Sequence, residues 1–416
     1  MSELTFIEKL LDGVEVEWKR LGEIARYVTS RIDATQVNED SYVGVDNLFQ
    51  DRGGKGRSSY VPSDGRLIEY RPGDVLVGNI RPYLKKIWHA DISGAASGDV
   101  LVFRVDHSAV DPGYLYQGLA ADKFFDFNMQ HAKGAKMPRG DKSKIMDYLV
   151  PIPCPDDPQK SLEIQTEIVR ILDAFTELTT ELTTELTART QQYKHYRDQL
   201  LRFEGGDVEW KPLGEIGEFI RGKRFTKADY VEDGIPVIHY GEIYTRYVVF
   251  ADEAFSQVRS DMEKGLRYAE PGDVVLTDVG ETADDVGKAV AWLGEGKVAI
   301  HDHCYAFRHQ LNPKYVSYCM QTDRFVAEKA KYIARTKVNT LLINGFSKVK
   351  IPIPFPSNPE RSMAEQERIV TILDKFDALT TSLTEGLPRE IELRQKQYAY
   401  YRDLLLSFPK PEEVMI

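Results

Sequence analysis

The chain contains one sequence framework twice, at a separation of about 200 residues. Each copy starts with a Trp-Lys-x-Leu-Gly-Glu-Ile segment, and four further landmarks recur in the same order. The matching segments are Trp18–Ile24 and Trp210–Ile216, Pro72–Val75 and Pro271–Val274, Ile152–Pro153 and Ile353–Pro354, Ile168–Phe175 and Ile369–Phe376, and Gln192–Asp198 and Gln397–Asp403. Solenoid repeats are roughly 20–50 residues long, so this longer period indicates two copies of a whole domain followed by a helix. Two copies of a binding module predict a target with two halves.

The bulk composition favours a globular protein of the reducing cytoplasm. At 416 residues the chain is long enough for two or three domains. No stretch approaches the roughly 18 apolar residues of a membrane span, and the first residues do not resemble a signal peptide. The three cysteines are too few for a disulfide framework. The net charge of −11 argues mildly against a nucleic-acid partner, but cations cluster locally, as in residues 51–90.

Two mixed α/β domains are predicted, at residues 14–155 and 207–356, with short β-rich runs between Gly and Pro turns. The predicted strands include Tyr42–Val45, Val75–Val77 and Val100–Val105 in the first domain, and Val237–Tyr240, Val274–Leu276 and Val298–Ile300 in the second. Between the shared landmarks the two domains differ widely. The framework is therefore repeated, while the segments inserted in it are not.

A long helix is predicted after each domain, at residues 156–204 and 359–409. In the first, apolar residues fall at 168, 172, 175, 178, 182, 186, 193, 196, 200 and 203, the spacing of a heptad-like stripe. Such a helix is roughly 60 Å long, too long to bury its stripe against one small domain. We therefore expect the two helices to form an antiparallel coiled coil with a pseudo-twofold internal repeat. Gly386-Leu387-Pro388 predicts a kink or break near residue 386.

Two further features bear on this arrangement. The central helix contains three consecutive Thr-Glu-Leu-Thr words, Thr176–Thr179, Thr180–Thr183 and Thr184–Thr187. They have the form of a length adjuster, although the same word is also an ordinary helical sequence. The Phe6–Asp12 run precedes Trp18 much as Leu200–Glu204 precedes Trp210. This similarity suggests that the two ends of the chain lie together.

The repeated framework, the divergent insertions, the Ile-Pro-x-Pro closures and the Thr-Glu-Leu words together resemble the specificity subunit of type I restriction–modification systems, most closely the IC-like group. The resemblance covers essentially the whole chain. It implies two target recognition domains, each recognising one half of a split, asymmetric DNA site. It also implies two methyltransferase (modification) subunits docked on the helices, and motor-nuclease (restriction) subunits that join for cleavage. On this interpretation the helices set the distance between the two half-sites.

No catalytic constellation is found in the sequence. The nearest match to an adenine methyltransferase motif is Asn312-Pro313-Lys314-Tyr315, which has a lysine in place of the second proline and is better explained as a helix start. A Walker loop is absent. His301-x-His303-Cys304 has metal-like spacing, but without a second ligand pair we interpret it as a strand edge with ordinary histidines. The resemblance implies no cofactor in this chain, with S-adenosylmethionine, ATP and Mg²⁺ used by the partner subunits.

Basic segments at matching places in the two domains are the candidate DNA contacts. Basic side chains neutralise phosphates, while Arg and Asn also bind base edges. The predicted DNA-binding residues are Arg81, Lys85, Lys86, Lys133, Lys136, Arg139, Lys142, Arg221, Lys223, Arg224, Arg335, Lys337 and Asn339. Lys329 and Lys331 lie in the same second-domain segment. For any one cluster, a solvated surface is the simpler explanation, and only the agreement between the two domains favours DNA.

Two alternatives to a non-catalytic recognition subunit remain at this point. A self-contained DNA methyltransferase or nuclease would need the motifs that are missing. A coiled-coil adaptor for proteins would not need divergent insertions in a common framework, or paired basic loops.

Overall fold

The computed structural model describes residues 13–335, 338–382 and 385–408. The chain divides into two compact units. Unit 1 combines the residues up to Glu181 with those from Ile391 onward, and unit 2 comprises Leu182–Glu390. Each unit therefore contains one α/β domain together with parts of the long helices. The predicted run Phe6–Asp12 lies outside the described residues.

Unit 1 is built on three sheets. Its strands are β1 (Val16–Arg20), β2 (Ala25–Tyr27), β3 (Arg31–Asp33), β4 (Tyr42–Val43), β5 (Arg66–Tyr70), β6 (Val75–Gly78), β7 (Ile87–His89), β8 (Gly94–Ala96), β9 (Val100–Val105) and β10 (Leu149–Pro153). They pair in the orders β1-β10, β2-β9-β6-β7 and β3-β5-β8-β4, antiparallel except for β4 with β8. The helices are α1 (Leu21–Ile24), α2 (Pro112–Ala120), α3 (Asp122–Gln130), α4 (Lys142–Ile145) and the first part of α5 (Pro158–Leu200), with 3₁₀ turns at Ala34–Gln36 and Pro82–Leu84.

Unit 2 repeats this plan with more strands. They are β11 (Val208–Pro212), β12 (Glu218–Arg221), β13 (Tyr230–Val231), β14 (Ile235–Ile238), β15 (Phe250–Ala251), β16 (Ser256–Val258), β17 (Tyr268–Ala269), β18 (Val274–Thr277), β19 (Val279–Gly280), β20 (Ala289–Trp292), β21 (Val298–Ile300), β22 (Cys304–Arg308), β23 (Ile333–Ala334), β24 (Asn339–Leu341) and β25 (Lys350–Pro354). Their sheet orders are β11-β25, β12-β22-β18-β20-β15, β13-β16-β14-β21-β17 and β19-β24-β23.

The remaining helices follow in chain order. They are α6 (Leu213–Ile216), α7 (Tyr240–Thr245), α8 (Pro313–Cys319), α9 (Asp323–Lys329), α10 (Ile343–Phe346), α11 (Pro359–Thr381) and α12 (Gly386–Leu405), with 3₁₀ turns at Lys227–Asp229, Ser260–Gly265 and Ala330–Tyr332. The predicted boundary at 156–204 encloses α5. The predicted stretch 359–409 contains two helices, and the interruption between Thr381 and Gly386 agrees with the break predicted from Gly386-Leu387-Pro388.

The repeated landmarks form equivalent structures in the two units. In unit 1 Trp18 pairs with Pro151 across the β1–β10 ribbon, and in unit 2 Trp210 pairs with Pro352 across β11–β25. A buried tyrosine hydroxyl donates to the carbonyl of that proline in each case. Tyr114 is 2.8 Å from Pro151 O, and Tyr315 is 2.9 Å from Pro352 O.

The Pro-Gly-Asp landmark forms the predicted turn, and its aspartate also has a role in the core. Gly73 and Gly272 adopt positive φ values of 89° and 94°, which a glycine adopts without strain. The carboxylate of Asp74 accepts the Arg71 amide and pairs with the guanidinium of Arg104 at 2.6 Å. Asp273 makes the matching contacts, with Arg308 at 2.9 Å. A buried charge needs such a partner, so each turn is fixed to the strand beside it.

The long helices pack on one another within each unit. In unit 1 the ring of Phe175 stacks on Tyr401 with 5.2 Å between centroids. In unit 2 Phe376 stacks on Tyr196 at 5.5 Å. The first part of α5 thus pairs with the end of α12, and the last part of α5 with α11, the order of an antiparallel pair. The predicted fold class is confirmed, although Tyr196, predicted as coiled-coil core, is 40% exposed.

A glutamine from each long helix fixes it to its own domain. In unit 1 the Oε1 atom of Gln165 accepts the Asp111 amide at 2.9 Å, and Asp111 in turn caps α2. In unit 2 Gln366 accepts the Asn312 amide at 2.9 Å, and Asn312 caps α8. Asn312-Pro313 is therefore a helix start, as predicted.

Two local predictions were wrong. His239 is not a strand residue, since β14 ends at Ile238 and His239 caps α7 through its Nδ1 atom. His301 and His303 lie in the turn between β21 and β22 rather than on a strand edge. The prediction that the two chain ends lie together concerns residues outside the described ranges, but Val14 and Val16 belong to the same core of unit 1 as Leu405 and Phe408.

Candidate nucleic-acid interface

In unit 1 the predicted basic residues lie on two loops that contact each other. One loop follows β6 and contains Arg81, and the other runs from residue 131 to 142. Arg81 donates its amide to the Pro138 carbonyl at 2.8 Å, and Ile80 forms a β-bridge with Arg139. The two loops therefore form one surface, although about 50 residues separate them in the sequence.

A third loop, residues 49–56, completes this surface. The amides of Asp51 and Arg52 donate to the carbonyls of Leu84 and Lys85 at 3.0 and 2.9 Å. The loop of residues 49–56 and the loop after β6 contain four non-glycine residues with positive φ, which are Asp51, Arg52, Arg81 and Lys85. Such conformations are strained for residues with a Cβ atom and occur preferentially at functional sites.

Two large aromatic side chains project from these loops into solvent. Tyr83 is 49% exposed and Phe49 is 52% exposed. Exposed aromatic rings beside cations are suited to stacking on or contacting nucleic-acid bases. We call the surface formed by residues 49–56, 79–86 and 131–142 the loop face of unit 1.

Carboxylates of unit 1 neutralise several of the predicted cations. Lys85 pairs with Asp122 and Lys133 with Asp141, both at 2.6 Å, and Arg139 lies 3.3 Å from Asp99. Lys86 donates to the Val45 carbonyl at 2.6 Å. Within the described part of unit 1, Arg81, Lys136 and Lys142 are exposed and their side chains have no ion pair or hydrogen bond. These three side chains are therefore available to phosphates.

Asp122 is the main anchor of the loop face. Its carboxylate accepts from Lys85 and from Arg52, and Arg402 of α12 lies 3.7 Å away. Partial burial opposes ionisation, but the hydrogen bonds from Lys85 and Arg52 prevail and lower the pKa of Asp122 to about 2. The loop face is thus held to the start of α3 and to the end of α12 by one ionised carboxylate.

A buried polar cluster lies beneath the loop face. Among the described residues, Asn79 Oδ1 and both amide atoms of Asn128 are buried without a hydrogen-bond partner. Gly140 covers them, and a side chain there would clash with Asn128 and lie 2.8 Å from Asn79 Oδ1. The glycine is required at this point because the loop packs directly on the two amides.

In unit 2 the matching loop follows β18 and also joins the predicted residues. Arg221 lies 3.3 Å from Asp278 at the start of that loop, and Asn339 donates to the Glu281 carbonyl at 2.9 Å. Asp278 occupies the position equivalent to Asn79 in the repeat. Lys223, Arg224 and Arg335 are exposed, while Lys337 lies outside the described residues. The grouping of Lys329 with the candidate DNA contacts is wrong, because its side chain is buried and donates to the Asp284 carbonyl at 3.1 Å.

Three histidines cluster beside Arg221. The ring centroids of His239 and His301 are 4.6 Å apart, and those of His301 and His303 are 5.5 Å apart. His303 lies 3.0 Å from the Asp278 carboxylate. Burial, followed by the neighbouring histidines, lowers the pKa of His239 to about 4, so the His239 ring is neutral at pH 7. Across residues 13–335, 338–382 and 385–408, no group of three His, Cys, Asp or Glu side chains could hold a metal ion.

Comparison with known proteins assigns the family. The sequence model of the type I restriction modification DNA specificity domain matches residues 206–393. The specificity subunit of the Escherichia coli type I restriction enzyme EcoR124I/EcoR124II is 36% identical to this chain, over the full length of both. The chain belongs to the family of type I specificity subunits. A putative specificity subunit of Haemophilus influenzae is 30% identical, over 97% of this chain and 98% of its own length.

Solved structures support the same fold. A chain from a structure concerned with complex assembly and conformational transition of the type I R-M system superposes with a TM-score of 0.59 at 19% identity, covering 94% of this chain and 97% of that one. The S subunit of a type I system from M. genitalium gives a TM-score of 0.53 at 12% identity, covering 96% and 98%. At these identities the likeness establishes the fold alone.

Specificity subunits are the recognition components of type I systems and are not catalytic, which disfavours a self-contained methyltransferase or nuclease. The IC-like assignment and the individual DNA-contacting residues stay predictions. In the described residues no helix is both long and apolar enough to cross a membrane.

Sequence reasoning missed the residues that shape the loop face of this specificity subunit. Tyr83 lies between Arg81 and Lys85 of the predicted DNA-binding set, but its exposure is set by the strained turn around it. Phe49 and Asp122 carried no signal, because an exposed phenylalanine and a single aspartate are common in any sequence. A run of glycines at Gly53, Gly54 and Gly56 was the available indication that residues 49–56 form a tight loop.

Proposed function

We propose that this chain recognises a bipartite, asymmetric DNA site, each unit recognising one half of it. The observation that carries the proposal is the loop after β6 and its counterpart after β18. The strands and the Pro-Gly-Asp turns are equivalent, but one loop presents the exposed side chains of Arg81 and Tyr83, while the other presents acidic and threonine residues. A common framework with different loops is what two unlike half-sites require.

The partners follow from the same proposal. Two modification subunits would use S-adenosylmethionine to methylate adenine in each half-site, and motor-nuclease subunits using ATP and Mg²⁺ would cleave unmodified DNA. The chain itself would supply only the choice of sequence, in the cytoplasm where the DNA is. The relatives with full-length coverage support this assembly.

Methylome sequencing tests the proposal. Cells that express a type I modification subunit would be compared with and without this chain. The expected result is a split N6-methyladenine motif that appears only when the chain is present. Exchange of the loop face of unit 1 for that of a relative should then change one half of the motif and leave the other half unchanged. Methylation that is absent, or independent of the chain, would contradict the proposal.

A further inference from the structure

Each unit contains a pocket beside its tryptophan ribbon. In unit 1 the pocket has a volume of about 610 Å³ and lies between Trp18, the start of α3 and the residues that follow α12. In unit 2 a pocket of about 420 Å³ lies between Trp210, the start of α9 and the residues that follow α5. Neither pocket includes a residue of the predicted DNA-binding set.

The two pockets are copies of each other. Every residue lining the unit 2 pocket except Phe325 has its counterpart in the repeat lining the unit 1 pocket. The chemically conserved pairs are Trp18 and Trp210, Pro151 and Pro352, Val150 and Ile351, Leu406 and Leu201, Lys123 and Arg324, and Asp403 and Asp198. The pockets therefore belong to the repeated framework and not to the divergent insertions.

The conserved lining has an apolar wall and two charged groups. In unit 2 the guanidinium of Arg324 lies over the Trp210 ring, 3.5 Å from its centroid. Asp198 pairs with Arg197 at 2.7 Å and accepts the Asp323 amide. In unit 1 Asp403 pairs with Arg402 at 3.0 Å. Each arginine is almost fully buried, so each aspartate is held at the rim of its pocket.

The repetition indicates what the pockets bind. A half-site of an asymmetric DNA target differs between the units, so its contacts should fall on residues that differ. A ligand that occurs twice in identical form needs residues that are the same. We propose that each pocket is the docking point for one copy of the modification subunit, which inserts an apolar side chain against the tryptophan. This inference rests on the proposed function, and it adds a contact beside the domain to the docking on the helices that the resemblance implies.

The rims of the two pockets differ in charge, which sharpens the proposal. The unit 2 rim carries Lys348 and Lys350 where unit 1 has Asp147 and Leu149. Because one segment must fit both, the shared apolar wall should supply most of the affinity. The two copies should also bind with different salt dependence, since only the rim contacts are screened.

Native mass spectrometry of the full chain with a type I modification subunit tests this. The wild-type chain should bind two copies, Trp18→Ala and Trp210→Ala one copy each, and the double variant none. Loss of a central aromatic contact should weaken each site ~30-fold or more. Neither tryptophan is buried, so the variants should keep their circular dichroism spectra. Trp88→Ala, outside both pockets, is the matched control and should still bind two.

A filling variant makes the test independent of the tryptophans. Gly118 lies in α2 and lines the unit 1 pocket, with no heavy atom within 4 Å of an added Cβ. Gly118→Leu should fill the pocket without disturbing the fold and reduce binding to one copy. Two copies bound with wild-type affinity by Trp18→Ala, Trp210→Ala and Gly118→Leu alike would overturn the inference while leaving the proposed function intact.

Two other results would also overturn it. A wild-type chain that binds no modification subunit would contradict the proposed function as well. Tryptophan variants that keep both copies but lose affinity for duplex DNA would assign the pockets to DNA.

Discussion

Arg402 on α12 lies 3.7 Å from the carboxylate of Asp122 at the start of α3. The repeat reproduces the pair in unit 2, where Arg197 lies 3.6 Å from Asp323. Only in unit 1 does the aspartate also hold Lys85 and Arg52 of the loop face. Among the described residues, unit 1 thus attaches a loop that differs between the two units to a contact of the common framework, and unit 2 does not.

Asp122→Asn should therefore loosen the loop face of unit 1. The side chain is 44% exposed, so solvent screening limits the expected loss of stability to about 1 kcal/mol. Hydrogen–deuterium exchange should rise in residues 49–56 and 79–86. Asp323→Asn is the matched control, because its carboxylate is 89% exposed and holds no loop. Equal effects of the two variants would contradict the anchoring role.

The framework could be predicted from the sequence because it is repeated and locally encoded. The turns at Gly73 and Gly272, the helix start at Asn312 and the break near Gly386 all depend on residues within a few positions of each other. The state of the basic residues could not be predicted in this way. Lys85 is neutralised by Asp122, and Asp122 approaches Arg402, which is 280 residues away in the sequence. Such pairs depend on tertiary packing, which local sequence patterns do not reveal.

Arg81→Ala and Lys136→Ala should weaken binding to duplex DNA, because both side chains are exposed and unpaired in the described structure. Each lost phosphate contact should lower the slope of log affinity against log salt by ~0.9. Fluorescence anisotropy over a salt series measures both quantities. Arg170→Ala is the matched control, since Arg170 is exposed on α5 but paired with Glu167 at 2.7 Å. An unchanged slope for both loop variants would remove these residues from the interface.

Acid should destabilise unit 2 through His239. The folded pKa of His239, about 4, lies below the ordinary 6.5, so the unfolded chain binds the extra proton first. The contribution of the neutral His239 ring to the free energy of unfolding is fully present above pH 6.5. We expect the free energy of unfolding to fall by on the order of 1–2 kcal/mol by pH 5. His239→Asn keeps an acceptor for the Gly241 amide but does not titrate, so its loss between pH 7 and pH 5 should be smaller. Thermal unfolding of the wild-type chain and of His239→Asn at pH 7 and pH 5 measures these losses. If the two proteins lost the same stability, His239 would be excluded as the group responsible for the pH dependence.

Gly140→Ala should destabilise unit 1 because the added methyl group would clash with buried Asn128 and approach Ile145 Cδ1 to 2.9 Å. Overpacking of this kind costs about 1–3 kcal/mol. Gly98→Ala is the control, since nothing lies within 4 Å of its added Cβ, and its effect should stay within about 0.5 kcal/mol. Chemical denaturation compares the two. A neutral Gly140→Ala variant would show that the loop can move away from the two amides.

Deletion of Thr180–Thr183 tests whether α5 sets the distance between the half-sites. The helix is continuous through the three Thr-Glu-Leu-Thr words, and hydroxyls such as those of Thr180 and Thr187 donate to carbonyls four residues earlier, at 2.9 Å in both cases. Removing four residues shortens the helix by ~6 Å. It also turns the two parts of the helix relative to each other by one full turn and about 40°, so the apolar stripes of the two parts stay nearly aligned.

The methylated motif of the deletion variant should therefore keep both half-sites while its spacer shortens by about one or two base pairs, at ~3.4 Å per base pair. Replacing the same four residues with alanine preserves the length of the helix and should leave the spacer unchanged. If the deletion also left the spacer unchanged, the repeated words would be ordinary helical sequence, and the distance between half-sites would have to be set elsewhere in the subunit.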